Sequence, residues 1–177
     1  MKILVKSLKE LGLRIATAES CTGGLVAKMI TDVSGASSVF EFGVVTYSNA
    51  AKKQLLGVSD STLSTLGAVS EETPKEMAAG ALKLSSADIA LSVTGVAGPE
   101  PSEGKPVGTV CIGVATKESV LAKTFVFGGK RGEIRRQSAK MALNMALWTL
   151  GETAKKAKLS EKAMSAMKKI TNKIKKK

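Results

Sequence analysis

Apolar and polar positions repeat along this chain with two different periods. Short apolar runs rich in β-branched and aromatic residues predict strands at 13–16, 42–47 and 89–94, and apolar residues three or four apart predict helices between them. Two later runs, 107–116 and 120–127, are separated by a short polar turn and predict a hairpin. Helices that alternate with strands indicate an α/β domain whose mixed sheet is covered on both faces.

The predicted helices are marked by their ends and by their apolar spacing. The first ends at Gly12 and places four apolar residues on one face: Ile3, Leu4, Leu8 and Leu11. Shorter helices are expected at 25–30, at 50–56 and from the acidic, proline-containing start at 70–74. The last is expected over 134–150, with five residues available for packing: Met141, Leu143, Met145, Leu147 and Trp148.

The composition of the 177 residues is typical of a globular protein, with 44% apolar and 24% charged residues. No apolar run reaches the roughly 18 residues needed to cross a bilayer, and the first residues lack the apolar region of a signal peptide. Cys21 and Cys111 provide no disulfide framework. We therefore expect a cytoplasmic protein without a membrane partner.

The positive charge is concentrated at the end of the chain. Residues 152–177 hold ten lysines and two glutamates, so they carry +8 of the net charge of +12. This division predicts a domain at 1–151 and a lysine-rich, helical extension at 152–177. Within the extension, an apolar stripe is formed by Met164, Met167, Ile170 and Ile174. The stripe could lie on nucleic acid or an anionic surface. Packing on the domain or on a neighbouring subunit is favoured, because aromatic residues that would stack on bases are missing.

Candidate chemistry is densest in the segment 17–24, which contains an acid, two threonines, a serine, a thiol and two glycines. It lies between the first predicted strand and the second predicted helix, so it is expected to form a strand-to-helix turn. The glycines allow close backbone approach to a ligand, and the helix start offers N–H groups to an anion or a developing oxyanion. The structural alternative is that Ser20 or Thr22 caps the helix.

The absence of histidine restricts the chemistry that the chain can perform. It excludes a Ser-His-Asp site, a Cys-His site and any metal site that contains histidine. If a hydroxyl group is the nucleophile, its base must be a lysine, a carboxylate or a tyrosine.

Several segments together resemble a known family. They are Ala-Thr-Ala-Glu-Ser-Cys-Thr-Gly-Gly at 16–24, Val-Thr-Tyr-Ser-Asn at 45–49 with Lys52, Gly-Ala-Val-Ser at 67–70, Thr-Gly-Val-Ala-Gly-Pro at 94–99, Lys-Pro-Val-Gly-Thr-Val at 105–110, and Arg131, Arg135 and Arg136. On these motifs the chain resembles the C-terminal domain of the competence/damage-inducible CinA family. The stand-alone members of that family are nicotinamide-mononucleotide (NMN) amidohydrolases. The resemblance covers residues 4–150.

The resemblance implies a three-layer α/β/α sandwich with a mostly parallel sheet. It also implies hydrolysis of the carboxamide of NMN to nicotinate mononucleotide and ammonia, without a metal or a cofactor. Separately, a homo-oligomer is expected. Ser20 is then the nucleophile and Lys52 the general base, with Tyr47 in the same catalytic site. The positions expected to bind the substrate are Glu19, Thr22, Gly23, Gly24, Thr94, Gly95, Ala97, Gly98, Arg131 and Arg135.

Several of these residues have structural alternatives. Glu19 could orient the lysine or a hydroxyl, or only complement the helix start. The arginines suit a phosphate but would also suit a surface helix face. Cys21 is expected to face away from Ser20 and to pack, and Lys53 is expected to be a solvated neighbour of the catalytic lysine. Lys52 needs a lowered pKa, for which burial and Arg131 or Arg135 nearby are both available causes.

Two segments depart from the family pattern. The loop after Pro99 has Glu100-Pro101-Ser102 where relatives have Asp-Gly-Gly, and Lys130 replaces an acid before the last helix. These changes leave Ser20 and Lys52 in place, but they concern how the ribose and phosphate are held. Two alternative functions are a catalytically silent nucleotide-binding module and an accessory protein that binds nucleic acid through its extension.

Overall fold

A five-stranded sheet forms the centre of the fold. The computed structural model describes residues 1–174, and the side chains of residues 1–152 within this range. The strands are β1 (Ile15–Glu19), β2 (Phe40–Val45), β3 (Ile89–Gly95), β4 (Thr109–Thr116) and β5 (Val120–Val126). Their order across the sheet is β2-β1-β3-β4-β5.

Most strands of the sheet point in the same direction. β1 is parallel to both β2 and β3, whereas β4 is antiparallel to β3 and β5 is antiparallel to β4. The directions of β1, β2, β3 and β5 therefore agree, and only β4 among these five strands is reversed. This confirms the predicted mixed, mostly parallel sheet and its hairpin.

Helices lie between the strands and after them. They are α1 (Lys2–Leu11), α2 (Leu25–Thr31), α3 (Asn49–Leu56), α4 (Glu72–Leu84) and α5 (Arg131–Ile174), with single turns at Ala36–Ser38 and Thr62–Leu66. The short helices contribute little stability alone, so their packing on the sheet holds them in place. The α/β class is therefore confirmed.

The two faces of the sheet are covered by different helices. On one face, Ala16, Ala18 and Ala90 pack with Met77 and Ala81 of α4. The intervening residues of β1 point to the other face, where the carboxylate of Glu19 accepts hydrogen bonds from the start of α2. Helices therefore lie on both sides of the sheet, in three layers.

The small residues of α4 let it approach its neighbours closely. A Cβ atom at Gly80 would overlap the backbone carbonyl of Leu56, which ends α3. On the sheet side, the hydroxyl of Ser92 donates to the Pro74 carbonyl at 2.5 Å. Both contacts draw α3 and α4 onto the same face of the sheet, and this fixes the position of the residues on α3.

The carboxyl ends of the three parallel strands lie side by side. Glu19 of β1 is in register with Val45 of β2 on one side and with Val93 of β3 on the other. The segments that leave these strands therefore meet at one edge of the sheet, where ligands commonly bind in open α/β sheets.

The strand boundaries differ from the prediction, most clearly in β1 and β2. β1 covers Ile15–Glu19 rather than 13–16, and β2 covers Phe40–Val45 rather than 42–47. The first three residues of the segment 17–24 are consequently strand residues. The apolar runs misplace these ends because polar Thr17 and Glu19 are buried in the sheet, where apolar residues were expected.

Three apolar residues assigned to packing are exposed. The buried face of α1 consists of Leu4, Val5 and Leu8, while Ile3 and Leu11 are exposed. Ile3 points away from this face, and Leu11 lies at the last turn. Trp148, also expected to pack, is 60% exposed. These packing predictions were wrong.

The chain divides into two units, Met1–Ala146 and Leu147–Lys177. The predicted apolar stripe of Met164, Met167, Ile170 and Ile174 lies outside the described side chains. The boundary expected after residue 151 stays a prediction. In the described part of the chain, no helix is both long and apolar enough to cross a membrane.

Candidate active site

A serine and a lysine that are 32 positions apart in the sequence meet at the carboxyl edge of the sheet. Ser20 directly follows β1, and its backbone N–H donates to the carbonyl of Val93 in β3 at 2.8 Å. The Nζ atom of Lys52 lies 3.1 Å from the Oγ atom of Ser20 and 3.1 Å from the carbonyl oxygen of Thr46. Lys52 is 2% exposed and Ser20 is 8% exposed. The serine is thus hydrogen-bonded to a buried amine.

The start of α3 places Lys52 at this position. Ser48 caps the helix, since its Oγ atom accepts the N–H of Ala51 at 3.1 Å. The buried residues of α3 are Lys52 and Leu56, which are four apart and share one face. Lys53 points elsewhere and pairs with Asp60 at 2.5 Å. The two adjacent lysines therefore have different environments, as the sequence predicted.

Burial lowers the pKa of Lys52 from its ordinary value of 10.5, because an ammonium group loses hydration inside the protein. Cys21 and Glu103 act in the opposite direction and raise this pKa. The arginines that the sequence suggested as a second cause are not among these contributions. When the amine is neutral, its lone pair can accept the hydrogen bond of the Ser20 hydroxyl. A hydroxyl nucleophile and a general base would require such a contact.

Cys21 is close to the lysine but is poorly suited to be the nucleophile. Burial raises the pKa of its thiol to about 12, because the thiolate would lose its hydration. Its exposed fraction is 6%. Near neutral pH the thiol therefore stays protonated beside the serine.

A cavity of about 190 Å³ opens beside the Ser20–Lys52 pair. Seven of the predicted site residues line it: Ser20, Tyr47, Lys52, Thr94, Gly95, Ala97 and Arg131. The lining does not include Glu19, Thr22, Gly23, Gly24, Gly98 and Arg135. The structure therefore brings seven of the predicted site residues to the cavity and leaves six outside its lining.

Glu19 has a structural partner at each carboxylate oxygen. Oε2 accepts the N–H of Val26 at 3.0 Å, and Oε1 accepts the N–H of Ala27 at 2.8 Å. The N-cap residue of α2 is therefore Gly24, and neither Ser20 nor Thr22 caps the helix, contrary to the alternative considered from the sequence. Two of the N–H groups expected to face an anion are already occupied by this buried carboxylate.

Two arginines of α5 join the site segments to one another. Arg131 donates to the carbonyl of Gly98 at 2.7 Å and to the hydroxyl of Tyr47 at 3.0 Å. Arg135 donates to the carbonyl of Thr22 at 2.7 Å. Arg131 lines the cavity and is exposed, so it can still reach a ligand, whereas Arg135 supports the turn after β1.

The glycines and Thr94 have separate roles in these turns. Gly23 and Gly24 have φ values of 57° and 90°, which favour glycine. A side chain at Gly23 would press on the guanidinium of Arg135, at 3.2 Å. The hydroxyl of Thr94 donates to the carbonyl of Ala68 at 2.9 Å. Thr94 therefore fixes the segment that closes one side of the cavity.

Sequence reasoning missed several residues of the cavity wall. They are Asn49, Ala68, Val69, Val96, Ser102 and Glu103, in addition to the thiol of Cys21. Ser102 belongs to the loop that departs from the family pattern, whereas Glu100 and Pro101 of that loop are exposed outside the lining. The motif 67–70 was a usable signal for the two small residues. Glu103 had none, because its position depends on the path of the loop.

No group of three or more cysteine, aspartate or glutamate side chains is placed to hold a metal ion within the described residues.

Comparison with known proteins gives a consistent result. Residues 1–150 match the family model of the CinA C-terminal domain. A putative competence-damage inducible protein of Caldicellulosiruptor saccharolyticus is 52% identical over 84% of this chain, which spans 36% of that relative's length. A nicotinamide-nucleotide amidohydrolase, PncC of Enterobacter agglomerans, is 53% identical over 80% of this chain and 87% of its own length. The chain is therefore similar both to part of long relatives and to most of a short one.

Solved structures agree in fold. The competence/damage inducible protein CihA of Agrobacterium tumefaciens is 44% identical, with a TM-score of 0.81 over 85% of this chain and 92% of that one. A CinA superfamily protein of Klebsiella pneumoniae is 35% identical, with a TM-score of 0.82 over 84% and 94%.

Proposed function

Because the chain belongs to the family of the CinA C-terminal domain, we propose that it is an amidohydrolase. The proposed reaction converts nicotinamide mononucleotide to nicotinate mononucleotide and ammonia. The observation that carries the proposal is the buried hydrogen bond of 3.1 Å between Lys52 and Ser20 beside a cavity. The name of the Enterobacter agglomerans relative, which this chain matches over 87% of its length, supports the choice of substrate.

An amide needs both an activated nucleophile and an acid for its leaving group. In the proposed reaction, neutral Lys52 takes the hydroxyl proton as the Oγ atom of Ser20 attacks the carboxamide carbon. The tetrahedral intermediate then expels ammonia, which takes the proton back from the Lys52 ammonium. This step leaves the nicotinoyl group as an ester on Ser20.

Water completes the reaction by the same route. Lys52, neutral again, takes a proton from a water molecule that attacks the ester carbon. The ester C–O bond breaks, and the proton returns to Oγ of Ser20. The released acid gives its remaining proton to solvent, so nicotinate mononucleotide leaves as a carboxylate. One lysine thus serves alternately as base and acid, which requires the lowered pKa that burial produces.

The rest of the cavity suits a nucleotide. Arg131 lies at its rim with an exposed guanidinium, a group that binds phosphate by two parallel hydrogen bonds. Tyr47 holds this guanidinium through its hydroxyl. We assign Arg131 to binding of the phosphate, and Tyr47 to orientation of the Arg131 guanidinium. The homo-oligomeric state stays a prediction, and binding of nucleic acid by residues 152–177 stays an alternative that the sequence does not favour.

The test is incubation of the full chain with NMN and a chelator, with detection of ammonia and nicotinate mononucleotide. Both products should form in equal amounts, and Ser20→Ala should form neither while keeping its fold. If the wild-type chain binds NMN without producing ammonia, it is a nucleotide-binding module instead. If Ser20→Ala is as active as wild type, the assigned nucleophile is wrong.

A further inference from the structure

Glu103 has the one carboxylate among the described residues that line the cavity. Its neighbours there include the cationic side chain of Arg131 and the buried amine of Lys52. The carboxylate is close enough to Lys52 to raise the pKa of that amine. It is therefore a negative charge within the electrostatic field of the reacting groups, and the proposed reaction gives it no role.

The backbone around Glu103 holds this carboxylate in a defined place. Its Oε2 atom accepts the N–H of Val69 at 3.0 Å. The same oxygen lies over Gly67, where a Cβ atom would come within 2.5 Å of it. Gly67 is fixed in turn, because its carbonyl accepts the hydroxyl of Thr73 at 2.8 Å. A residue other than glycine at position 67 would displace the carboxylate.

The loop that supplies Glu103 is also fixed. Ser102 and Lys105 exchange two backbone hydrogen bonds, of 3.2 Å and 2.8 Å. Glu103 itself has a φ of 51°, an unusual value for a residue with a side chain. Such a conformation is retained where the surroundings hold it, and it turns the side chain of this otherwise exposed residue toward Val69.

The proposed substrate has a feature that matches a carboxylate. The ring of NMN is a pyridinium cation, and this ring is bonded directly to the carboxamide carbon that Ser20 would attack. A ligand that places this carbon at Ser20 must therefore bring the cationic ring into the same cavity of about 190 Å³. There the positive ring would repel Arg131, and a negative group in the wall would offset this repulsion.

We propose that Glu103 is a specificity-determining residue, which selects amides whose ring is a pyridinium cation over neutral amides of the same shape. The proposal rests on the proposed function, because it takes the site at Ser20 as the amide-binding site. The Oε2 atom of the carboxylate holds the loop by accepting the N–H of Val69. The charge acts through space, so it requires no direct hydrogen bond to the ring.

The experiment compares two ligands of equal shape in the full chain carrying Ser20→Ala, which prevents turnover. One is NMN, and the other is benzamide riboside monophosphate, whose ring is neutral. Dissociation constants are measured by calorimetry at pH 7 for two proteins, Ser20→Ala alone and Ser20→Ala combined with Glu103→Gln. Glutamine keeps an acceptor for the N–H of Val69, so the loop stays anchored. The matched control is Glu100→Gln, in the same loop but outside the cavity lining.

We expect Glu103→Gln to weaken binding of NMN about tenfold and binding of the neutral analogue less than about twofold. Glu100→Gln should change neither constant. Equal weakening of the binding of both ligands would overturn the proposal and assign Glu103 a purely structural role. Unchanged binding of NMN would also overturn the proposal. If the wild-type chain releases no ammonia from NMN, the proposed function fails. The comparison of the dissociation constants for NMN and the neutral analogue still tests the role of Glu103. Absence of any NMN binding overturns both.

Discussion

The Nζ atom of Lys52 lies 3.1 Å from the Oγ atom of Ser20, and both side chains are more than nine-tenths buried. The other hydrogen-bond partner of this amine is the carbonyl of Thr46, so the lysine is buried without a carboxylate bonded to it. Burying an unpaired ammonium opposes folding, and proteins retain such groups mainly where they serve a function. Stability and activity should therefore respond in different ways to changes at Lys52.

The stability of the protein should depend on pH through Lys52. Its pKa is lowered in the folded state, so between that pKa and the unfolded value near 10.5 the unfolded chain binds one proton more. Stability then rises with pH in this window. Lys52→Met removes the titrating amine. The free energy of unfolding of the wild type, minus that of Lys52→Met, should therefore increase as pH rises from 7 to 10. Urea unfolding at several pH values measures this difference.

Other titrating groups cancel in this comparison, because both proteins contain them. A difference that stays constant from pH 7 to 10 would show that Lys52 titrates alike in the folded and unfolded chains. The lowered pKa would then be absent, and Lys52 would lose its suitability as a base.

Cys21 should be dispensable and unreactive. Because burial raises the pKa of its thiol to about 12, little thiolate exists at pH 8. Iodoacetamide should leave Cys21 unmodified in the folded protein and label it after denaturation, as read by peptide mass spectrometry. Cys21→Ala should keep turnover within about threefold of wild type, since a small residue still fills the site. Loss of turnover as severe as in Ser20→Ala would instead point to the thiol.

Arg131 should act on substrate binding more than on the chemical step. Arg131→Ala removes the proposed phosphate ligand, which should raise KM for NMN about tenfold or more and leave kcat within a few-fold. The control is Arg136→Ala, since Arg136 is an exposed residue on the next turn of α5. This substitution should change neither constant. The assignment of Arg131 to the phosphate fails if Arg131→Ala lowers kcat/KM equally for NMN and for its phosphate-free riboside.

Glu19 should matter for the fold. Its two oxygens accept the N–H groups of Val26 and Ala27, and Glu19→Gln would turn an amide donor toward one of them. We expect a loss of about 2 kcal/mol in the free energy of unfolding. The exposed Glu118→Gln should lose less than about 0.5 kcal/mol. Equal stability of the two variants in urea unfolding would remove the capping role.

The sequence predicts the types of element better than their ends. Apolar runs and helical spacing suffice for the succession of strands and helices along the chain, and the hairpin is visible in its two long apolar runs. They fail at Thr17 and Glu19, polar residues that are buried because β1 lies between β2 and β3. The start of α2 satisfies the carboxylate of Glu19. These patterns also fail at Trp148, where apolar character alone does not determine which face of a helix is covered.

The candidate site divides in the same way. The resemblance to the family motifs supplies Ser20 and Lys52, and the absence of histidine agrees with this pair. The assignment of roles to them stays a prediction. Glu103 could not be predicted, because its place in the cavity depends on a residue with a positive φ and on the contact with Gly67. Such contacts join segments that are far apart in the sequence, and no local pattern encodes them.

The turnover of NMN by Lys52→Arg, measured beside Lys53→Arg, tests the central claim most directly. Arginine keeps the positive charge but has no usable basicity, so Lys52→Arg should lose at least about a thousandfold in kcat. Lys53→Arg should keep nearly normal turnover, because Lys53 points away from the site and pairs with Asp60. The wild-type rate should rise with pH through one ionisation below 10.5. Near-normal turnover in a folded Lys52→Arg would contradict the account and make Tyr47, which also lines the cavity, the candidate base.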